Sequence, residues 1–221
     1  MVATHDNKYL FISNNLGYLK QFSIKQKRKV TDFGRVLPDG ILTMAVTADG
    51  CNLFCAGEHG CMTQIYLPTG EIVMDFGQMM DTHIYSLAIG PDDESLYLAS
   101  KEGHVKKIDI GTGELEFDYD KICNDCCDKL KVSKDGETLF LTFRNNGLKV
   151  MDIYTGALTK KFKQMKDEKY KLICLDGEED FVYTLTPNSE LVRWGVETQK
   201  VMRRFDNLAK EGAINSMVFY S

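Results

Sequence analysis

Four histidines, seven cysteines and two lysine-rich runs are the residues whose types could do chemistry in this 221-residue chain. The histidines are His5, His59, His83 and His104, and no His-Glu-x-x-His pair, glycine-rich phosphate loop or nucleophile elbow accompanies them. Cys123, Cys126 and Cys127 resemble half of a zinc site, but no second pair or histidine follows at ligand spacing. No metal, cofactor or catalytic residue is therefore assigned. Seven cysteines are an odd number without framework spacing, and Cys55 and Cys174 fall inside apolar runs, which indicates free thiols in a reducing, cytoplasmic setting. The run Lys25, Lys27, Arg28, Lys29 and the stretch Lys160, Lys161, Lys163, Lys166 are locally basic. The formal net charge is −5, so no global positive field draws the chain to nucleic acid or to an anionic membrane. No apolar stretch approaches the length of a bilayer span, and the start MVATHDNKYLFIS lacks the layout of a secretory signal.

The elements that carry these residues repeat every 43 positions. Leu10, Leu53, Leu96, Leu139 and Val182 form one column, and the next is aromatic: Phe11, Phe54, Tyr97, Phe140, Tyr183. A second aromatic column runs Phe33, Phe76, Tyr119, Phe162, Phe205. Bulky apolar residues fill Phe22, Ile65, Ile108, Met151 and Trp194, followed two positions on by Ile24, Leu67, Ile110, Ile153 and Val196. Each unit reads as four short strands, in the second unit 41–47, 52–57, 61–67 and 71–77.

The turns have a mechanism. Asp49-Gly50 and Asp135-Gly136, with Asp6-Asn7 and Asp92-Asp93 in phase, supply residues that tolerate positive φ between the first and second strands. Gly17, Gly60 and Gly103, replaced in phase by Asn146 and Ser189, turn the second strand into the third. Thr69-Gly70, Thr112-Gly113 and Thr155-Gly156 turn the third into the fourth. Such a sheet cannot bury both faces alone, and radial stacking solves that problem. The expectation is an all-β chain, a single β-propeller of about five four-stranded antiparallel blades over 1–40, 41–82, 83–125, 126–169 and 170–212, with a terminal strand at 213–221. Residues 1–4 (MVAT) are in phase with 44–47 (MAVT), so 213–221 either closes a five-bladed ring, or the chain is a slice of a larger propeller or an open one completed by a partner.

On these columns the chain resembles the WD-repeat β-propeller family over nearly its whole length. Where that family ends its third strand in Trp-Asp, this chain has Phe22-Ser23, Ile65-Tyr66, Ile108-Asp109, Met151-Asp152 and Trp194-Gly195. The family's aspartate before the third strand is replaced by Leu16, His59, Glu102, Asn145 and Asn188, and its Gly-His pair is not visible. The blade pattern is also similar to lactonase-like and quinoprotein-like propellers.

The WD-repeat resemblance implies a non-catalytic scaffold for protein–protein interaction within a larger assembly, with other protein subunits as partners and no small-molecule substrate. Two alternatives are a lactonase-like or quinoprotein-like enzyme, which would gather ligands about its axis, and nucleic-acid binding through the basic runs. The partner-binding candidates lie mostly on inter-blade connections: Arg35 to Gly40, Gln78 to Thr82, Asp118 to Asp125 and Lys163 to Tyr170, with Arg35, His83, Arg144 and Tyr170 as anchors. The basic turn Lys25, Lys27, Arg28, Lys29 is the candidate on the opposite face.

Overall fold

The computed structural model describes residues 1–162, 172–176, 178–186 and 190–206. Among them are twenty strands in five antiparallel sheets, and one turn of 3₁₀ helix over Glu58–Gly60. Tyr170 and the terminal segment 213–221, both singled out by the sequence, lie outside the described residues.

The chain forms two compact units, Met1–Gly136 and Glu137–Ser221. The first unit holds β1 (Val2–Ala3), β2 (Tyr9–Ser13), β3 (Tyr18–Ser23) and β4 (Arg28–Arg35) in one sheet. The second sheet is β5 (Ile41–Val46), β6 (Asn52–Gly57), β7 (Cys61–Tyr66) and β8 (Glu71–Gln78). The third is β9 (Ile84–Ile89), β10 (Ser95–Ser100), β11 (His104–Asp109) and β12 (Leu115–Lys121), followed by β13 (Cys127–Val132). In the second unit, β14 (Thr138–Phe143), β15 (Gly147–Asp152) and β16 (Leu158–Lys161) pair in order. Its other sheet is β17 (Leu172–Leu175), β18 (Phe181–Leu185), β19 (Leu191–Gly195) and β20 (Val201–Phe205). Every pairing is between neighbours in sequence, and the strands of the second repeat match their expected bounds to within a residue.

One backbone hydrogen bond states the repeat most plainly. Ile24, Leu67, Ile110, Ile153 and Val196 each donate N–H to the carbonyl of Lys8, Cys51, Glu94, Glu137 and Asp180 in turn, all at 2.8–2.9 Å. The same bond therefore clasps the start of the second strand to the end of the third in all five sheets. The third-to-fourth turns keep phase too. Gly70, Gly113 and Gly156 have φ of 79°, 76° and 69°, and the column extends to Lys27 and Gln199 at 51° and 55°.

The second-to-third turn glycines face a stricter demand. A Cβ on Gly17, Gly60 or Gly103 would lie 2.1, 1.8 or 2.1 Å from the carbonyl oxygen of Leu37, Met80 or Cys123. Each turn thus sits directly on the connection to the next sheet, and only glycine permits that approach. In the fourth repeat the left-handed residue is Gly147 (φ 65°), one position beyond Asn146, where the sequence phase had put it. The strand register itself does not change, since Leu139 pairs with Met151 as Leu53 pairs with Ile65, so the difference lies within the turn.

The apolar columns form the cores between sheets. Phe11, Leu19, Ile41, Val46, Leu53 and Ile65 bury the first sheet against the second. Phe54, Met62, Ile84, Leu96, Leu98 and Ile108 bury the second against the third. In the second unit Phe140, Val150, Phe162, Val182, Val192 and Trp194 do the same. The two aromatic columns meet within a sheet, as Phe11 on Phe33 at 6.3 Å and Phe54 on Phe76 at 6.4 Å between ring centroids. Burying each such side chain is worth about 1.5–3 kcal/mol, so these columns dominate the fold's stability. Ile24 departs from its column and is exposed. Among the described residues no helix is long and apolar enough to cross a membrane.

Candidate functional site

Antiparallel order places the β2–β3, β6–β7 and β10–β11 turns, together with the connections between sheets, at one end of the sheets. At that end of the first unit, side chains from the first connection, the β6–β7 turn and the second connection converge.

Arg35, at the end of β4, is exposed, and its guanidinium is committed to backbone. Nε donates to the Leu16 carbonyl at 3.1 Å and a terminal nitrogen donates to the Pro38 carbonyl. It therefore pins the turn before β3 to the connection that carries Asp39. From that connection Gly40 accepts the Glu58 N–H at 3.1 Å, and a Cβ on Gly57 would lie 1.9 Å from the Gly40 oxygen. This close approach fixes Asp39 beside the Glu58–His59 turn. One ligand atom from each of Asp39, Glu58 and His59 lies within 4.8 Å of the others, and His59 Nε2 is 4.0 Å from Asp39 Oδ2.

His59 adopts a left-handed conformation (φ 56°), and its N–H donates to His83 Nδ1 at 3.2 Å. Accepting at Nδ1 places the proton of the neutral His83 ring on Nε2. The two imidazoles meet edge to face at 5.8 Å between centroids, and His83 meets Tyr85 the same way at 6.2 Å. His83 is further held because its carbonyl accepts the Lys101 N–H at 2.9 Å. Three rings from two adjacent sheets thus form a row at the surface, with the backbones of His59 and His83 hydrogen-bonded in place.

Beyond the second connection lies a cleft of about 230 Å³ lined by Met80, Asp81, Thr82, Glu102, His104, Lys106, Asp118 and Asp120, among others. Lys106 offsets part of its negative charge, donating to the Met79 carbonyl at 3.1 Å and standing 3.6 Å from Asp118.

Of the sequence candidates among the described residues of the first unit, Arg35 and His83 lie at this end. Lys25, Lys27, Arg28 and Lys29 lie on the β3–β4 hairpin at the other end of the first sheet, all exposed. There Arg28 donates to Gln26 at 2.8 Å and Lys29 pairs with Asp32 at 3.0 Å, so part of the basic run is locally compensated. Arg144 is exposed in the β14–β15 turn of the second unit. The acidic turn 92–94 is not a bare charged loop either: the Asp93 carboxylate accepts the N–H groups of Ala48 and Asp49 at 2.8 and 3.2 Å, bracing the turn of the preceding sheet.

Sequence reasoning missed Asp39, Glu58, His59 and Tyr85 as a group. The available signal was the repeat itself. The turn glycine packs on the connection 20 residues later, but within the second repeat the Gly57–Gly40 contact folds the turn back onto the preceding connection as well. Cys123, Cys126 and Cys127 do not form a comparable trio of ligand atoms among the described residues. Cys126 and Cys127 instead direct their sulfurs to Asp128 and to the Lys129 carbonyl. Cys55 is fully buried, and desolvation pushes its thiol up to about 12.

No family model matches the chain, and no curated protein matches it significantly.

Proposed function

We propose that the chain is a WD-repeat-like β-propeller acting as a non-catalytic, cytoplasmic scaffold that binds other protein subunits through the end carrying its inter-sheet connections. Five in-phase sheets, packed face to face through their apolar columns within each compact unit, support the propeller reading. The observation that carries the functional reading is the ordered surface row His59, His83 and Tyr85, with Arg35 anchoring the backbone beside it. Interfaces are enriched in aromatic and arginine side chains, and groups already held in place lose little freedom on binding. Reduced cysteines fit an intracellular setting.

The test is affinity capture from native lysate using the wild type and a His83→Ala/Tyr85→Ala variant. A protein recovered in stoichiometric amount by the wild type and lost by the variant supports the reading. A partner retained undiminished by the variant moves the contact elsewhere on the surface, and recovery of no stoichiometric partner overturns the scaffold.

A further inference from the structure

We propose that Asp39, Glu58 and His59 form a binding site for a single divalent transition-metal ion of the zinc class, with three protein donors and a coordination position open to solvent. This does not depend on the docking role proposed above.

The donor set is the first argument. Two carboxylates and a neutral imidazole supply two negative charges, which a dication neutralises. A mixed nitrogen and oxygen set of three suits zinc, whereas calcium and magnesium demand more oxygens or retain several waters. Distance is the second. Zinc bonds of about 2.0–2.2 Å put tetrahedral donors roughly 3.5 Å apart. The three ligand atoms already lie within 4.8 Å, with the His59–Asp39 separation at 4.0 Å. Side-chain rotation alone closes that gap.

Positioning is the third. The donors come from two segments whose backbones are locked together by the Glu58 N–H bond to Gly40 and by the Gly57–Gly40 contact. Arg35 fixes the Pro38 carbonyl next to Asp39, and His83 fixes the His59 N–H. Little ordering remains to be done when an ion arrives. The side chains of His59 and Asp39 are 67% and 42% exposed, so the ion keeps a water or takes a fourth ligand from outside. Bound there, it would tie the first connection to the turn of the second sheet.

The test is calorimetric titration of the full chain with zinc chloride, against magnesium and calcium, for the wild type, His59→Asn and Glu58→Gln. Asparagine tolerates the left-handed backbone of position 59, and glutamine keeps the shape of position 58. The wild type should take up one zinc ion per chain with no comparable response to magnesium or calcium, and each variant should bind at least tenfold more weakly while its metal-free melting temperature is unchanged. Should His59→Asn disturb folding, Glu58→Gln decides alone. Cobalt loading separates this site from the cysteines, because coordination here gives no thiolate charge-transfer band. Absence of saturable one-to-one binding, variants that bind as tightly as the wild type, or a thiolate band would overturn the site.

Discussion

Gly50 and Gly60 have nearly the same backbone conformation, φ 71° and 74°, yet their surroundings differ completely. A Cβ on Gly50 would meet nothing within 4 Å, whereas one on Gly60 would lie 1.8 Å from the Met80 carbonyl oxygen. Gly50→Ala should therefore lose only the left-handed penalty, about 1–2 kcal/mol. Gly60→Ala must also displace the connection and should lose well over twice as much, as read from urea unfolding midpoints. Equal losses would show that the close approach carries no energy. In the second unit, Trp194 is fully buried and its Nε1 donates to Thr184 Oγ1 at 2.8 Å. Thr184→Val removes that acceptor at nearly constant shape and should destabilise by about 1–3 kcal/mol. Trp194 is the chain's one tryptophan, so its fluorescence reports the loss directly.

At the scale of the element, the hairpin turns are built on aspartates. Asp109 accepts the N–H and hydroxyl of Thr112 at 2.6 and 2.8 Å, and Asp152 accepts the same groups of Thr155 at 2.8 and 2.7 Å. Asp49 accepts the Thr47 hydroxyl at 2.5 Å and the Cys51 N–H at 2.8 Å. These donors hold all three carboxyls below the ordinary range. A folded value below the unfolded one means stability that is fully present above the unfolded value and is lost as pH falls through the folded one. The turns should thus weaken below about pH 4. Asp109→Asn/Asp152→Asn, which keeps one acceptor oxygen at each turn, should flatten that acid limb. An unchanged slope in stability between pH 4 and pH 2 would remove these turns as its source.

Strands and turns were readable from sequence because each depends on residues a few positions apart: the alternating apolar columns and the left-handed turn residues recur in fixed phase. The left-handed residue at Gly147 rather than Asn146 shows the limit, since the repeat phase does not choose between two neighbouring residues that both suit the turn. The candidate site was less readable. Asp39 and His59 are brought together by the contact of two backbones at Gly40 and Gly57, and nothing in residue type at those positions announces it. His83 was visible because of its place before a strand, whereas its bond to the His59 N–H depends on the packing of two sheets.

On the scale of the whole molecule, the division into two compact units bears on cooperativity. Repeat arrays gain stability from neighbouring interfaces, and units with separate cores need not open together. Trp194 fluorescence follows the second unit alone. Its denaturant midpoint should differ from that of a thiol-labelling probe at Cys55, which is fully buried in the first unit. Coincident curves would mean that the two units unfold as one.

The column Lys27, Gly70, Gly113, Gly156, Gln199 has a practical side. All five positions hold the same left-handed backbone, but only the middle three carry the residue that adopts it without strain. The chain is in effect its own multiple alignment, and its internal majority names the improvement. Lys27→Gly and Gln199→Gly are the first substitutions to make when a hardier version of this protein is wanted, one for each compact unit.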